Sequence, residues 1–188
     1  MKYLKSIVFL YILFFFTFDS ISLASQSGRQ YNITGKTMGT YYTIKFVSNN
    51  KEPLSIWEKK VAIRLKEVNA KFSMYNPKSE LSQFNRYDVD KPLNISLDFF
   101  TIISSAKKLY HLTEGSWDGT VKPLVDLWGF GTKLKTNSIP MVDQITFALS
   151  KTGFNHIHIK KPHTIVKSKA ITLDLGSIAK GYGVDSIA

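Results

Sequence analysis

The last eighteen residues carry the clearest chemical pattern in the chain. A β-like apolar run, Ile171–Leu175, meets Gly176, and the residues that follow have the composition of a helix start. A strand that breaks at glycine into a helix directs unpaired backbone N–H groups toward one point, which favours a phosphate or another anion. Lys180 adds a positive charge one turn later. Asp174 and Asp185 flank the turn, so a divalent cation could also be held nearby.

Three earlier segments also combine glycine, aromatic and charged residues in short loops. They are Gly35–Thr40, Lys71–Asn85 and Glu114–Leu124, the last followed by Leu127–Gly131. Each has an ordinary structural explanation, because a lone aromatic most often packs in a core and Asp118–Thr120 most often forms a turn. The Trp-Gly-Phe-Gly run lacks the spacing of a dinucleotide-binding fingerprint. Taken singly, these segments leave the chemistry open.

Segments with strand or helix periodicity surround these loops. Ser55 and Glu58 form a capping-box pattern that starts a helix, and this helix ends near Pro77. Strands are predicted over 40–47, 155–160, 164–167 and 170–173, and further helices over 96–111 and 141–151. The helix over 141–151 is expected to bury Met141, Ile145, Ala148 and Leu149. The mixture predicts an α+β fold, with residues 25–188 as one domain.

Residues 1–24 have the pattern of a secretory signal. Lys2 and Lys5 precede the apolar run 7–18, and Ser22–Ala24 fits a small-x-small cleavage site. An uncleaved membrane anchor is the alternative, although the run is short for a bilayer span. The chain has no cysteine, which excludes a disulfide framework. Its net charge of +11 favours anionic partners such as phosphates or anionic lipid. The sequence contains no nucleic-acid-binding motif, so we do not predict a nucleic acid as a partner.

Together, the four loop segments match a known family in order and spacing. Thr37–Thr40 reads TMGT, Ser73–Asn85 reads SMYNPKSELSQFN, and Gly115–Phe130 and Leu173–Asp185 carry the other two blocks. The chain resembles the ApbE family of FAD:protein FMN transferases over nearly the whole mature sequence. The resemblance implies a mixed α/β flavin transferase domain that binds FAD and Mg²⁺. It also implies transfer of FMN to a threonine or serine hydroxyl of a client protein, release of AMP, and a place in the periplasm or on the periplasmic face of the inner membrane.

The resemblance also implies site residues by position. The positions implied to contact FAD are Met38, Tyr75, Ser116, Trp117, Asp118, Asp174 and Lys180. Among them, Met38 would contact the flavin and Tyr75 would stack on its ring. The backbone oxygen of Ser177 corresponds to a metal ligand. Because the client hydroxyl attacks phosphorus directly, no catalytic nucleophile is assigned to the protein.

Several positions depart from the family pattern. Gly119 stands where the family has proline, Trp117 where it has phenylalanine and Ser177 where it has glycine. The chain is also shorter than family members, whose second half supplies an aspartate and a threonine to the metal site. We therefore expect either the front part of a longer transferase or a truncated, non-catalytic exported flavin-binding protein that lacks those C-terminal metal ligands. An unrelated exported binding module is the third hypothesis.

Overall fold

A computed structural model describes residues 28–131, 139–160 and 162–188 of the chain. The strands are β1 (Arg29–Thr37), β2 (Thr40–Ser48), β3 (Leu93–Asn94), β4 (Ile157–Lys160) and β5 (Thr164–Lys167). The helices are α1 (Leu54–Phe72), α2 (Glu80–Arg86), α3 (Leu97–Leu112), α4 (Lys122–Leu127), α5 (Val142–Leu149) and α6 (Gly176–Asp185), with a 3₁₀ turn at Phe154–His156. This mixture confirms the predicted fold class. The predicted signal in residues 1–24 lies outside the described residues.

The described residues divide into two compact units, one of residues 28–32 with 44–51 and one of the described residues in 33–43 and 52–188. In the first unit, the ring of Tyr31 stacks on that of Phe46, with centroids 5.1 Å apart. The Tyr31 hydroxyl donates to the carbonyl of Asn50 at 3.0 Å. The second unit contains the helices, the larger sheet and every candidate site residue.

β1 and β2 form a two-stranded sheet, and Met38 and Gly39 are the two residues between them. Both have positive φ, 48° at Met38 and 72° at Gly39, as the type I′ turns preferred in hairpins require. The prediction of β2 is confirmed with one residue added, whereas β1 is missed because Gly35 interrupts its alternation. Methionine rarely adopts this backbone conformation. The tight turn therefore holds the Met38 backbone in a strained position.

Helix α3 begins where the sequence predicts, because Ser96 caps it. The Ser96 hydroxyl oxygen accepts from the Phe99 N–H at 3.2 Å, and the Glu80 carboxylate accepts from both the N–H and the hydroxyl of Ser96. The capping box predicted for α1 is wrong. That helix follows Pro53 directly, with no side-chain capping hydrogen bond, since Ser55 already lies inside the first turn.

The core of the second unit lies between the helices and a three-stranded antiparallel sheet in the order β3–β5–β4. Ile165 of the central strand pairs with Leu93 on one side and Ile159 on the other, and it is fully buried. The buried core residues are Val68, Phe72, Leu81, Phe84, Ile95, Phe99, Ile102, Ile103, Ala106, Phe154, Ile157, Ile165, Ile171, Leu173, Leu175 and Ala179. Burying this apolar surface is the main force that holds the site's elements together.

The strand predicted over 170–173 is not formed, although Ile171 and Leu173 are fully buried. A side chain takes the place of a neighbouring strand: the Asn85 amide donates to the Leu173 carbonyl at 3.0 Å and accepts from the Leu173 N–H at 2.7 Å. The buried Lys167 ammonium donates to the carbonyls of Phe84, Asn85 and Ile171. Burial lowers the pKa of Lys167. Side chains, and not a neighbouring strand, therefore make the hydrogen bonds to the backbone of this segment.

The periodicity argument misses the short helices α2 and α4. Helix α5 is found, but the apolar residues at its two ends are more exposed to solvent than predicted. Helix α2 is capped by Ser79, whose hydroxyl oxygen accepts from the Ser82 N–H at 3.0 Å. Around α5, Ala148 is buried as predicted, but Met141 and Leu149 are 68% and 52% exposed. Periodicity identifies a helix without showing what covers its apolar face. Among the helices in the described ranges, none combines the length and apolarity needed to cross a membrane.

Candidate functional site

A cavity of about 520 Å³ opens where three elements of the second unit converge. These elements are the hairpin turn, the last turn of α1 with the loop after it, and the first turns of α6. The lining residues are Met38, Gly39, Asn69, Phe72, Ser73, Met74, Tyr75, Gly176, Ala179 and Lys180. The structure therefore brings together three of the predicted site residues, Met38, Tyr75 and Lys180.

The loop after α1 is held rigidly by its own polar groups and presents Tyr75. The Ser73 hydroxyl oxygen accepts from the N–H groups of Tyr75 and Asn76, each at 3.2 Å. The Ser73 carbonyl accepts from the hydroxyl of the buried Ser79 at 2.6 Å. With its backbone fixed in this way, the Tyr75 ring stands 76% exposed at the edge of the cavity. An exposed aromatic face on a hydrogen-bonded loop is suited to stacking on a flat ligand ring.

Met38 and Lys180 approach the cavity from the other two elements. The Met38 Cε lies 3.2 Å from the point where a side chain at Gly183 would begin, so the glycine leaves room for the thioether. Lys180 is exposed in α6. The cavity wall therefore offers an aromatic ring, a polarizable apolar group and one cation.

The start of α6 differs from the predicted cluster of free N–H groups. The Asp174 carboxylate accepts from the Gly176 N–H at 2.8 Å, and the Leu175 carbonyl accepts from the N–H groups of Ile178 and Ala179 at 3.1 and 2.8 Å. The chain's own oxygens thus occupy donors that a phosphate was expected to use. Of the predicted anion-binding groups, Lys180 keeps its charge exposed toward the cavity.

The remaining predicted site residues lie in the loop before α4 and beside the start of α6. The Trp117 indole N–H donates to the Ser177 hydroxyl at 3.1 Å. The Asp118 carboxylate accepts from the N–H and the hydroxyl of Thr120, both at 2.7 Å. Ser116 is exposed, and its N–H donates to the Thr113 carbonyl. Trp117 is thereby joined to the first turn of α6, which lines the cavity, but none of these three residues lines the cavity itself.

The described donors do not fit Mg²⁺ as a complete site. Magnesium requires near-octahedral oxygen coordination, yet the described residues contain no group of three or more His, Cys, Asp or Glu side chains that could hold a metal ion. The Asp118 and Asp174 carboxylates already accept backbone hydrogen bonds. Ser177 offers its backbone carbonyl at the second residue of α6.

A charge cluster behind the cavity, missed by the sequence analysis, ties two of its walls together. The Asp98 carboxylate of α3 accepts from the Arg64 guanidinium at 2.8 and 2.9 Å and from the Lys71 ammonium at 2.6 Å, both on α1. The hydroxyl of Tyr182 on α6 donates to it at 2.6 Å. The hydrogen bond from Arg64 is the main reason why the pKa of Asp98 lies well below its usual range. The sequence signal for Asp98 is only its favourable place in a first helical turn.

Comparison with known proteins decides the family. The family model described as ApbE matches residues 38–188, which include all eight predicted site residues. The chain belongs to the ApbE family. This membership agrees with the structure, in which three segments that carry the family's motifs line one cavity: the hairpin turn, the Tyr75 loop and the start of α6.

Individual ApbE relatives support the same assignment. The FAD:protein FMN transferase of Haemophilus influenzae is 35% identical over 176 residues, covering 90% of this chain and 51% of that protein. The flavin transferase ApbE from Vibrio cholerae has a TM-score of 0.80 at 35% identity, covering 85% of this chain and 52% of that one. The apo flavinyl transferase ApbE of Pseudomonas stutzeri has a TM-score of 0.79 at 28% identity, covering 85% and 54%. The chain spans about half the length of the relatives it matches.

Proposed function

We propose that this ApbE-family chain binds FAD and takes part in transferring FMN to a threonine or serine hydroxyl of a client protein. The observation that carries the proposal is the convergence of Met38, Tyr75 and Lys180 on one cavity. Relatives named FAD:protein FMN transferase make FAD the first ligand to test. In this proposal Tyr75 stacks on the flavin ring and Met38 packs beside it.

The proposed reaction needs charge neutralisation and alignment more than a protein nucleophile. The client hydroxyl oxygen forms a bond to the phosphorus of the FMN half, the bond from that phosphorus to the oxygen shared with AMP breaks, and AMP leaves with that oxygen. The hydroxyl proton is lost to solvent or to a base. Lys180 would stabilise negative charge that develops on the phosphate oxygens.

Magnesium dependence is part of the proposal on family grounds. When bound, Mg²⁺ would neutralise diphosphate charge. The described residues offer it the Ser177 carbonyl, so most of its ligands would come from elsewhere. For that reason the second candidate, an exported protein that binds flavin without turning it over, is kept. The observation in its favour is that the described residues contain no group of three or more His, Cys, Asp or Glu side chains that could hold a metal ion.

The deciding experiment incubates the full 188-residue chain with FAD and an acceptor protein that an ApbE-family FMN transferase flavinylates, and measures AMP by liquid chromatography, with MgCl₂ or with EDTA. We expect FAD to bind, which flavin fluorescence reads independently of turnover. AMP release that requires MgCl₂ supports the transferase. Binding without AMP release supports the non-catalytic candidate, and absence of FAD binding overturns both.

The Tyr75→Ala variant tests whether the cavity is the FAD site. Losing the stacking face is expected to weaken FAD binding about tenfold, a typical effect for one aromatic pair. Tyr41→Ala is the matched control, because Tyr41 is 75% exposed and does not line the cavity. Equal FAD affinity of the two variants would contradict the assignment of the cavity.

We also propose that the protein acts outside the cytoplasm, in the periplasm or at the periplasmic face of the inner membrane. The supporting feature is the secretory pattern of residues 1–24. Fractionation of producing cells after spheroplast formation is expected to recover the protein in the periplasmic or membrane fraction. Recovery in the cytoplasmic fraction with residues 1–24 still attached would oppose this proposal.

A further inference from the structure

The hydrogen bond between Trp117 and Ser177 joins two loops that are 60 residues apart in sequence. The indole N–H donates to the Ser177 hydroxyl oxygen at 3.1 Å. The indole is half-buried and packs at a tilt on Phe154, with ring centroids 6.3 Å apart. Ser177 is the second residue of α6, so this bond acts on the helical turn from which Gly176, Ala179 and Lys180 reach the cavity.

Gly119 provides the space that the indole needs. A Cβ at this position would stand 3.1 Å from the Trp117 Cη2, 3.4 Å from Phe154 and 3.5 Å from Leu175. The Gly119 carbonyl also accepts from the Asp174 N–H at 2.7 Å. The loop at 117–119 therefore holds the start of α6 twice, once through the backbone and once through the indole.

These contacts give the indole N–H a role beyond filling space. We infer that Trp117 is a positioning residue, whose N–H, acting through the Ser177 hydroxyl, fixes the first turn of α6 and so the place of Lys180 in the cavity. As an account of ligand binding, this inference rests on the proposed function. Its structural part, the ordering of α6 by one side-chain hydrogen bond, stands independently of any ligand.

Two substitutions remove the hydrogen bond with little other change. Trp117→Phe keeps an aromatic ring against Phe154, and Ser177→Ala removes only the hydroxyl. The double variant completes a double-mutant cycle. If the two groups act through one hydrogen bond, the effects of the two substitutions do not add. Ser177→Thr retains a hydroxyl and serves as the conservative rescue.

The first readout is hydrogen exchange of the peptide that covers the start of α6, measured without ligand. Either single substitution is expected to speed exchange there by about fivefold, the size of one ordinary hydrogen bond. The double variant should be no faster than the faster single variant, and Ser177→Thr should exchange like the wild type. Unchanged exchange in both single variants, or additive effects in the double variant, would overturn the inference.

The second readout is FAD affinity by flavin fluorescence. Each single variant is expected to bind about fivefold more weakly, again without further loss in the double variant. Intact FAD affinity in a variant whose α6 exchange has increased would overturn the link from Trp117 to the cavity. If the wild type binds no FAD, the proposed function fails, and hydrogen exchange alone decides whether Trp117 positions α6.

Discussion

Replacing Asp98 with alanine is expected to lower the free energy of unfolding by about 3 kcal/mol, as loss of one partner from a largely buried charge cluster does. The Asp98 side chain is only 13% exposed, and Arg64 and Lys71 would be left close together without their shared anion. The Tyr182 hydroxyl would also lose its acceptor. Urea denaturation followed by far-UV circular dichroism measures the change.

The pair of Asp88 and Lys91 provides the matched control. It has similar geometry, with 2.7 Å between the ammonium nitrogen and the carboxylate oxygen, but both side chains are more than 60% exposed. Asp88→Ala should therefore change the free energy of unfolding far less than Asp98→Ala does, because solvent screens an exposed ion pair. Equal losses in the two variants would show that the Asp98 cluster is no stronger than a surface ion pair.

The Asp98 cluster also predicts a dependence of stability on pH. Because the folded protein holds the pKa of Asp98 well below its ordinary value of 3.8, the ionised carboxylate stabilises the fold above that value. This contribution is lost as the pH falls below 3.8. Asp98→Asn should remove that part of the acid dependence, which unfolding curves between neutral and acidic pH would measure.

Replacing Asn85 with alanine is the second change with a large expected effect, a loss of about 2–4 kcal/mol in the free energy of unfolding. The Asn85 amide pairs with both backbone groups of Leu173, which is fully buried. Unpaired buried polar groups cost about 1–3 kcal/mol each. Since Asp174 follows directly, FAD affinity should fall together with stability, and thermal unfolding with and without FAD would measure both.

Gln83 of the same helix is the control for Asn85. Its side-chain amide donates to the carbonyl of the exposed Lys78 at 3.0 Å. Water can replace such an exposed hydrogen bond, so Gln83→Ala should have an effect within about 0.5 kcal/mol. If Asn85→Ala is equally mild, then the segment around Leu173 finds other partners and the amide is not needed to hold it.

Local sequence patterns by themselves determined several helices of this protein and its family. Helix α3 was predictable because its cap, Ser96, and its apolar spacing are both set within one stretch of sequence. The start of a helix at Gly176 was predictable because a glycine ends the apolar run over 171–175 there. The four motif segments were enough to indicate the family, since each motif is local and their order is read directly from the chain.

The tertiary structure alone decided how distant residues satisfy one another. Asn85 replaces a strand partner for Leu173, which turns a predicted strand into an irregular segment. Asp174 occupies an N–H that looked free for an anion, and Trp117 reaches Ser177 across the fold. Each of these outcomes depends on which polar groups are buried next to each other. A periodic pattern specifies which side of an element is apolar, but the requirement that buried donors and acceptors be paired is met only in three dimensions.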